Sequence, residues 1–195
     1  MNARQLAPIG FLALFTLVGC QSAPRVDLST PPVRYAEPLA QAPVVDGAKL
    51  DGFEGSYYEA DRLIVGSQPS RTDLAAMRER GVGTVINLRS NAEMGDRKRV
   101  DYDMAAEAER LGLTYVHIPL GGKDGYEPAD VDASAQALEA CDGDALVHCA
   151  SGGRARSMWS AYLIREKGWT PEEAERLRRT LGARPSSLEQ LLGEG

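Results

Sequence analysis

The chain has 195 residues, with 22 Lys and Arg against 28 Asp and Glu, which gives a formal net charge of −6. This length suits one folded domain with a sizeable core. Because general binding to nucleic acid needs an excess of basic residues, the mildly acidic balance argues against a nucleic-acid partner.

The first 19 residues have the pattern of a secretory signal peptide. Arg4 is the only charged residue before residue 25, and the mostly apolar stretch 6–18 is too short to span a bilayer. It ends in LVGC (17–20), which resembles a bacterial lipobox. The resemblance implies a lipidated Cys20 as the mature N-terminus, membrane attachment in the bacterial cell envelope and, with Gln21 rather than aspartate next, the periplasmic face of the outer membrane. The alternative is an ordinary secretory signal with an incidental cysteine.

Residues 20–50 are predicted to form a tether between this anchor and a domain over residues 51–195. The segment contains five prolines and little apolar periodicity, which is typical of a semi-extended linker. The prolines are Pro24, Pro31, Pro32, Pro38 and Pro43.

The domain alternates predicted strands and helices. Strands are expected at 61–69, 84–88, 114–118 and 144–148, with residues 90–99 as an exposed loop. Helices are expected after the N-cap Ser70, at 100–111, from Pro128, at 157–167, after the N-cap Thr170 and from Pro185. This alternation predicts an α/β fold, a mostly parallel sheet with helices on both faces. Ligands of such sheets bind at the carboxyl ends of the strands.

The most informative stretch is LVHCASGGRARS at 146–157. An apolar strand ends at Cys149, a glycine-containing loop with two arginines follows, and a helix begins. Backbone N–H groups of such a loop converge on one point, where the helix dipole adds positive potential. Because these surroundings favour a thiolate, Cys149 is predicted to be a nucleophile that acts on an anion. The loop residues expected to bind that anion are Ala150, Ser151, Gly152 and Gly153.

Other loops at the same edge of the sheet offer partners for this cysteine. Asp124 lies shortly after a strand end in a glycine-rich loop and is the candidate general acid, although a turn-forming aspartate before Gly125 is an equal alternative. Arg89 follows another strand end and is expected either to bind substrate or to pair with Glu93. No cluster has metal-ligand spacing, so neither metal nor cofactor is expected.

Four segments carry a family resemblance: VGSQPS (65–70), GVGTVINLR (81–89), YVHIPL (115–120) and HCASGGR (148–154). Together they resemble cysteine-dependent tyrosine and dual-specificity phosphatases, above all the phosphatase-like domain of bacterial beta-lactamase hydrolase-like proteins. The resemblance implies a tyrosine-phosphatase-like fold, with the active-site loop between a strand and a helix. It also implies hydrolysis of a phosphorylated protein or a small phosphomonoester through a cysteinyl-phosphate intermediate.

The loop departs from the wider family in the place of its arginine. Tyrosine phosphatases have arginine six positions after the cysteine, where this chain has Ala155. The bacterial branch often has Cys-x-x-Gly-x-Arg, which Arg154 matches, so Arg154 is expected to bind the anion and Arg156 to lie at the rim. The same spacing occurs in rhodanese-type sulfurtransferases. Two alternatives therefore stay open: a sulfurtransferase with Cys149 as persulfide carrier, and a non-catalytic anion-binding envelope lipoprotein.

Overall fold

The computed structural model describes residues 47–60, 62–181 and 188–194. The predicted signal peptide, Cys20, nearly all of the tether and the helix start at Pro185 lie outside the described residues. No helix in the described part of the chain is both long enough and apolar enough to cross a membrane.

A six-stranded sheet forms the centre of the domain, in the order β1-β2-β3-β6-β4-β5. The strands β3, β6, β4 and β5 run parallel, and β1 and β2 add an antiparallel edge. The strands are β1 (Ala48–Leu50), β2 (Tyr57–Ala60), β3 (Leu63–Gly66), β4 (Val82–Asn87), β5 (Thr114–His117) and β6 (Asp144–His148). The predicted mostly parallel sheet is confirmed.

Helices cover both faces of the sheet, as predicted. They are α1 (Arg71–Glu79), α2 (Asn91–Met94), α3 (Met104–Arg110), α4 (Pro128–Glu139), α5 (Gly153–Lys167), α6 (Pro171–Thr180) and α7 (Leu188–Leu192). Alternate strand residues point to opposite faces: Val147 joins the core formed with α4 to α7, whereas its neighbour Leu146 joins the core formed with α1 and α3. The carboxyl ends of the buried strands are thereby held rigidly under the loops that follow them.

Two predicted helix starts are confirmed with their capping side chains. Ser70 caps α1 and Thr170 caps α6, each accepting a hydrogen bond from the backbone N–H three residues on. The Asp73 carboxylate accepts from the Ser70 backbone N–H and, at 2.8 Å, from the Tyr57 hydroxyl. The second bond ties the first turn of α1 to β2.

The structure departs from the predicted elements at the first two strands, in the segment 90–99, and at the starts of α3 and α5. The edge strand β1 lies before residue 51, the predicted start of the domain, and β2 was not predicted. The segment 90–99 was predicted to be a loop, but it contains the single-turn helix α2, with a reciprocal capping box between Ser90 and Glu93. Finally, α3 begins at Met104 rather than residue 100, and α5 begins at Gly153 rather than residue 157, directly after the cysteine loop.

Candidate active site

Cys149 lies at the carboxyl end of β6, the strand between β3 and β4. Its backbone N–H donates to the Gly66 carbonyl of β3 at 3.3 Å, and the His148 carbonyl accepts from Leu88 N–H at 2.8 Å. Both neighbouring strand ends therefore fix the cysteine, whose side chain is fully buried. The predicted position between a strand and a helix is confirmed.

The loop after Cys149 turns its backbone towards the sulfur. Gly152 adopts a positive φ of 88°, a conformation that favours glycine, and is the N-cap of α5. Its N–H donates to Cys149 Sγ at 3.1 Å. The Ala150 carbonyl accepts from Gln68 N–H at 3.2 Å, whereas Ser151 is exposed. The loop thus presents a backbone donor to the sulfur at the start of a 15-residue helix.

Arg154 lies beside Cys149 and is held from the other side. Its Nη1 donates to Glu93 Oε2 at 2.6 Å and to the Leu120 carbonyl at 2.7 Å, and its Nη2 donates to Glu93 Oε1 at 2.8 Å. Burial opposes the charged form of Arg154, but the hydrogen bonds to Glu93 and the proximity of Cys149 raise its pKa above the ordinary value. The three bonds use both hydrogens of Nη1 and one hydrogen of Nη2, so the Nε–H and the second Nη2–H are not committed to Glu93 or Leu120.

Glu93, the partner of Arg154, is itself fixed by the capping box of α2. Its Oε2 accepts from the Ser90 backbone N–H at 2.9 Å and from the Ser90 hydroxyl at 3.0 Å. The hydrogen bond from Arg154, helped by those from Ser90 and opposed by burial, lowers the pKa of Glu93 to about 2. Glu93 is therefore an anion throughout the neutral range, and it orients the arginine without being part of the loop.

Arg156 lies on the opposite side of the loop, towards β2. Its guanidinium carbon is 5.8 Å from the centre of the Tyr58 ring, and a Cβ at Gly152 would meet its Nη1 within 2.9 Å. The buried Nε has no hydrogen-bond partner, and no carboxylate among residues 47–60, 62–181 and 188–194 pairs with this arginine. The two arginines therefore flank the cysteine loop in unlike surroundings.

Asp124 is attached to α2. Its Oδ2 accepts from the Asn91 backbone N–H and its Oδ1 from Asn91 Nδ2, both at 2.8 Å. The side-chain bond from Asn91, followed by the backbone bond, lowers the pKa of Asp124 below its ordinary value. In this arrangement Asp124 is a carboxylate with both oxygens engaged.

Arg89 is buried beneath α2, with only 2% of its surface exposed. It donates to the backbone carbonyl of Glu93 at 2.8 Å and to Gln68 Oε1 at 3.2 Å, while its own carbonyl contacts His117 Nε2 at 2.7 Å. It does not pair with the Glu93 carboxylate, the arrangement that the sequence allowed. Its other predicted role, the binding of substrate, stays a prediction. In the structure its contacts hold the segment that carries Glu93.

His148 is fully buried directly before the nucleophile candidate. Burial lowers its pKa to about 3, so the imidazole is neutral at all but strongly acidic pH. Its Nδ1 contacts the Cys149 carbonyl at 3.3 Å rather than the sulfur. His148 is therefore placed to orient the loop and not to act as a base.

Two residues of this site were not predicted from the sequence as parts of it: Asn91, and Glu93 as the partner of Arg154. The pattern Ser90-x-x-Glu93 is a capping-box signal that could have revealed α2, but nothing local to it points to Arg154 or Asp124. Among the residues that the structure describes, no group of three or more His, Cys, Asp or Glu side chains is placed to hold a metal ion.

Comparison with curated proteins gives two relatives that carry the same name. Two curated Xylella fastidiosa proteins, both called beta-lactamase hydrolase-like protein, are 32% identical over 117 residues, which is 60% of this chain and 27% of theirs. This chain thus corresponds to little more than a quarter of each relative.

Two solved structures share the fold. A putative phosphatase from Neisseria meningitidis is 22% identical, with a TM-score of 0.53 over 68% of this chain and 93% of its own. TpbA from P. aeruginosa, solved in complex with pTyr, is 18% identical, with a TM-score of 0.53 over 79% of this chain and 88% of its own.

The family model that matches describes the phosphatase-like domain of beta-lactamase hydrolase-like proteins, and it covers residues 58–163. This range runs from β2 through the cysteine loop into α5 and includes Cys149, Arg154, Glu93 and Asp124. Because the match spans more than half of the chain, the protein belongs to the beta-lactamase hydrolase-like protein, phosphatase-like domain family.

Proposed function

We propose that the protein is a cysteine-dependent phosphatase that hydrolyses a phosphate monoester through a cysteinyl-phosphate intermediate. The observation that carries the proposal is the buried Cys149 Sγ at the start of α5, which accepts from Gly152 N–H at 3.1 Å and has the Arg154 guanidinium in its vicinity. Donors gathered around a sulfur nucleophile are what a phosphoryl group needs, because its transition state spreads negative charge over the equatorial oxygens. Family membership and the phosphatase neighbours support the same chemistry.

The reaction has two steps. Cys149 Sγ attacks phosphorus, the S–P bond forms as the P–O bond to the leaving group breaks, and Asp124 donates a proton to the departing oxygen. In the second step Asp124 takes a proton from a water molecule as that water attacks phosphorus. The S–P bond breaks, phosphate leaves, and the thiolate is restored.

Asp124 needs a proton for the first step, and the described arrangement holds it as an anion. A phosphate dianion bound at Cys149 is a like charge nearby, and like charges raise the pKa of a carboxyl group. Substrate binding therefore favours the protonated form of Asp124 that the step requires. Arg154 binds the transferred group, and Ala150, Ser151, Gly152 and Gly153 form the loop around it.

The substrate is proposed to be a phosphorylated protein or a small phosphomonoester. TpbA was solved with pTyr, which is an aryl phosphate. The decisive assay measures phosphate release from p-nitrophenyl phosphate by the wild type and by Cys149→Ser. Because the nucleophile is lost, we expect a fall of at least about 10³-fold, and mass spectrometry of the quenched wild type should show one phosphoryl group on Cys149.

The same preparation distinguishes the alternatives. Transfer of sulfur from thiosulfate to cyanide without phosphate release would identify a sulfurtransferase instead. If neither activity is found, with phosphate still bound by wild type and by Cys149→Ser alike, the site is an anion-binding module. Arg99→Ala, an exposed change outside the site, is the control for handling of the variants.

We further infer from the sequence that a lipid at Cys20 anchors the protein to the outer membrane, with the domain on the periplasmic side. Cys20→Ala is expected to move the protein from the membrane fraction to the periplasmic fraction. If the variant stays with the membranes, the lipid anchor is wrong.

A further inference from the structure

The single-turn helix α2 contacts both groups that the proposed reaction uses beside the cysteine. Its Asn91 holds the Asp124 carboxylate by two bonds of 2.8 Å, and its Glu93 holds the Arg154 guanidinium by bonds of 2.6 and 2.8 Å. The two contacts differ in their consequence. Arg154 keeps donors for an anion, whereas neither carboxylate oxygen of Asp124 is left unbonded.

Accepting an N–H bond on each oxygen stabilises the ionised form of a carboxyl group relative to the protonated form. The bonds from Asn91 therefore hold the pKa of Asp124 below its ordinary value. A general acid works best with a pKa near the operating pH. Contact with Asn91 thus opposes the donation of a proton from Asp124 to the leaving group.

We propose that Asn91 is a positioning residue that latches Asp124 in a resting state, and that a phosphate monoester bound at Cys149 draws Asp124 off this latch to act as the acid. The inference rests on the proposed function, because it assigns a resting partner to the acid of that reaction. After the second step, loss of the proton to solvent returns Asp124 to Asn91.

The local fold allows Asp124 to leave without disturbing the core. It lies half-buried in a tight loop closed by the bond from Gly121 N–H to the Gly125 carbonyl at 2.8 Å. Positive φ angles at Gly121, Gly122 and Gly125 let this loop turn sharply, and the adjacent strand β5 ends before it begins. Asp124 is therefore carried by a compact loop that follows the sheet and not by a strand of it.

Charges around Asp124 also influence how far its pKa is lowered. His117, at the end of β5, adds to the lowering of its pKa. On the α2 side, Glu93 and Arg154 largely neutralise each other. Along the loop, Lys123 and Glu127 are exposed, and their opposite charges are screened by solvent. The two bonds from Asn91 are thus the main restraint on the acid.

The test compares the pH dependence of kcat/KM with that of kcat for an alkyl and an aryl phosphate, corrected for titration of the substrate. The first parameter reports the free enzyme and the second the enzyme–substrate complex.

In Asn91→Ala one of the two bonds to the carboxylate is lost. We expect the fall of kcat/KM on its basic limb to begin about one pH unit higher in the variant. At pH values above the basic limbs of both proteins, kcat/KM should be about tenfold higher in the variant than in the wild type. The basic limb of kcat should stay in place, because Asp124 is no longer bound to Asn91 in the enzyme–substrate complex.

Three further variants make the result specific. Asn91→Asp places a like charge against Asp124 and should move the kcat/KM limb in the same direction by more. Ala92→Ser, an exposed change on the same helix, should move nothing. His117→Gln separates the contribution of that side chain. In the Asp124→Asn background, Asn91→Ala should have no limb to move.

Two outcomes would overturn the latch. If Asn91→Ala leaves the kcat/KM limb in place, Asn91 does not restrain the acid. If Asn91→Ala lowers kcat for the alkyl phosphate as much as Asp124→Asn does, the contact supports the working acid. In either case hydrolysis that depends on Cys149 would leave the proposed function standing. Loss of that dependence would overturn both proposals together.

Discussion

The two arginines that follow the cysteine loop are separated by one residue, yet their surroundings are opposite in kind. Arg154 faces β4, β5 and α2, where a charged network anchors it at bond lengths below 3 Å. Arg156 faces β2, where the Tyr58 ring lies near its guanidinium and no carboxylate of the described residues pairs with it. The match to Cys-x-x-Gly-x-Arg predicts Arg154 as the anion-binding group. The difference teaches that two arginines so close in sequence can be oriented by quite different partners.

The largest expected effect separates the two arginines directly. Arg154→Ala should lower kcat/KM for an aryl phosphate by about 10²- to 10³-fold, because a preorganised donor to the transferred group is lost. Arg156→Ala should lower it by less than about tenfold. Inhibition constants for vanadate should rank the variants in the same way.

Arg154→Lys sharpens this result, since it keeps the charge but cannot make the bidentate contact. We expect it to resemble Arg154→Ala more than the wild type. A larger loss in Arg156→Ala than in Arg154→Ala would contradict the assignment and make Arg156 the anion-binding residue.

An intermediate effect is expected from the carboxylate that orients Arg154. Glu93→Gln should lower kcat/KM by about tenfold, because a charged bidentate partner is replaced by a neutral one. The folded pKa of Glu93, about 2, lies below the ordinary value of 4.5. The stabilisation from its ionised form is therefore present above pH 4.5 and is lost as the pH falls from 4.5 towards 2.

Urea unfolding of the wild type and Glu93→Gln at several pH values checks this. The wild type should be more stable by on the order of 2 kcal/mol at pH 7, and the difference should shrink at pH 3. A difference that is constant across this range would show that the pair does not couple folding to the protonation of Glu93.

The smallest effect is expected on the aromatic side. A partly exposed contact between a cation and a ring contributes about 0.5–1 kcal/mol, so Tyr58→Leu should lower the free energy of unfolding by roughly that amount and change kcat/KM less than about twofold. Tyr58→Phe is the matched control, because it keeps the ring. A larger kinetic effect of Tyr58→Leu would show that the two sides of the loop are less different than their contacts indicate.

The parts of the fold that the sequence predicted are those with strong local signals. A β-branched run marked β4, a short apolar run marked β6, and capping residues marked α1 and α6. The strands β1 and β2 escaped prediction because they are short and only partly buried, with β1 at the edge of the sheet and β2 beside it. Since β2 pairs with β3 and β1 pairs with β2, these strands are formed by pairing rather than by their own composition.

The candidate site was predictable to a similar degree. Cys149 and the loop that follows stand out, because nucleophile, glycines and arginines are adjacent in sequence. The carboxylate that orients Arg154 belongs to Glu93, which is 61 residues away. Likewise, the ionised state of Asp124 depends on Asn91, 33 residues away. No local pattern encodes such pairings, since they arise only when β4, β5 and β6 lie side by side.

Gly66, whose carbonyl accepts from the backbone of Cys149, has a further consequence for sequence variation. A Cβ at this position would lie 2.1 Å from a ring carbon of Tyr57 and 2.7 Å from the Ser56 carbonyl oxygen. Even alanine would therefore push β3 away from β2. The end of β3, whose Gly66 carbonyl accepts from Cys149 N–H, would move as well. In a saturation library selected for activity, residue 66 should tolerate essentially no replacement, although it has no chemical part in the reaction.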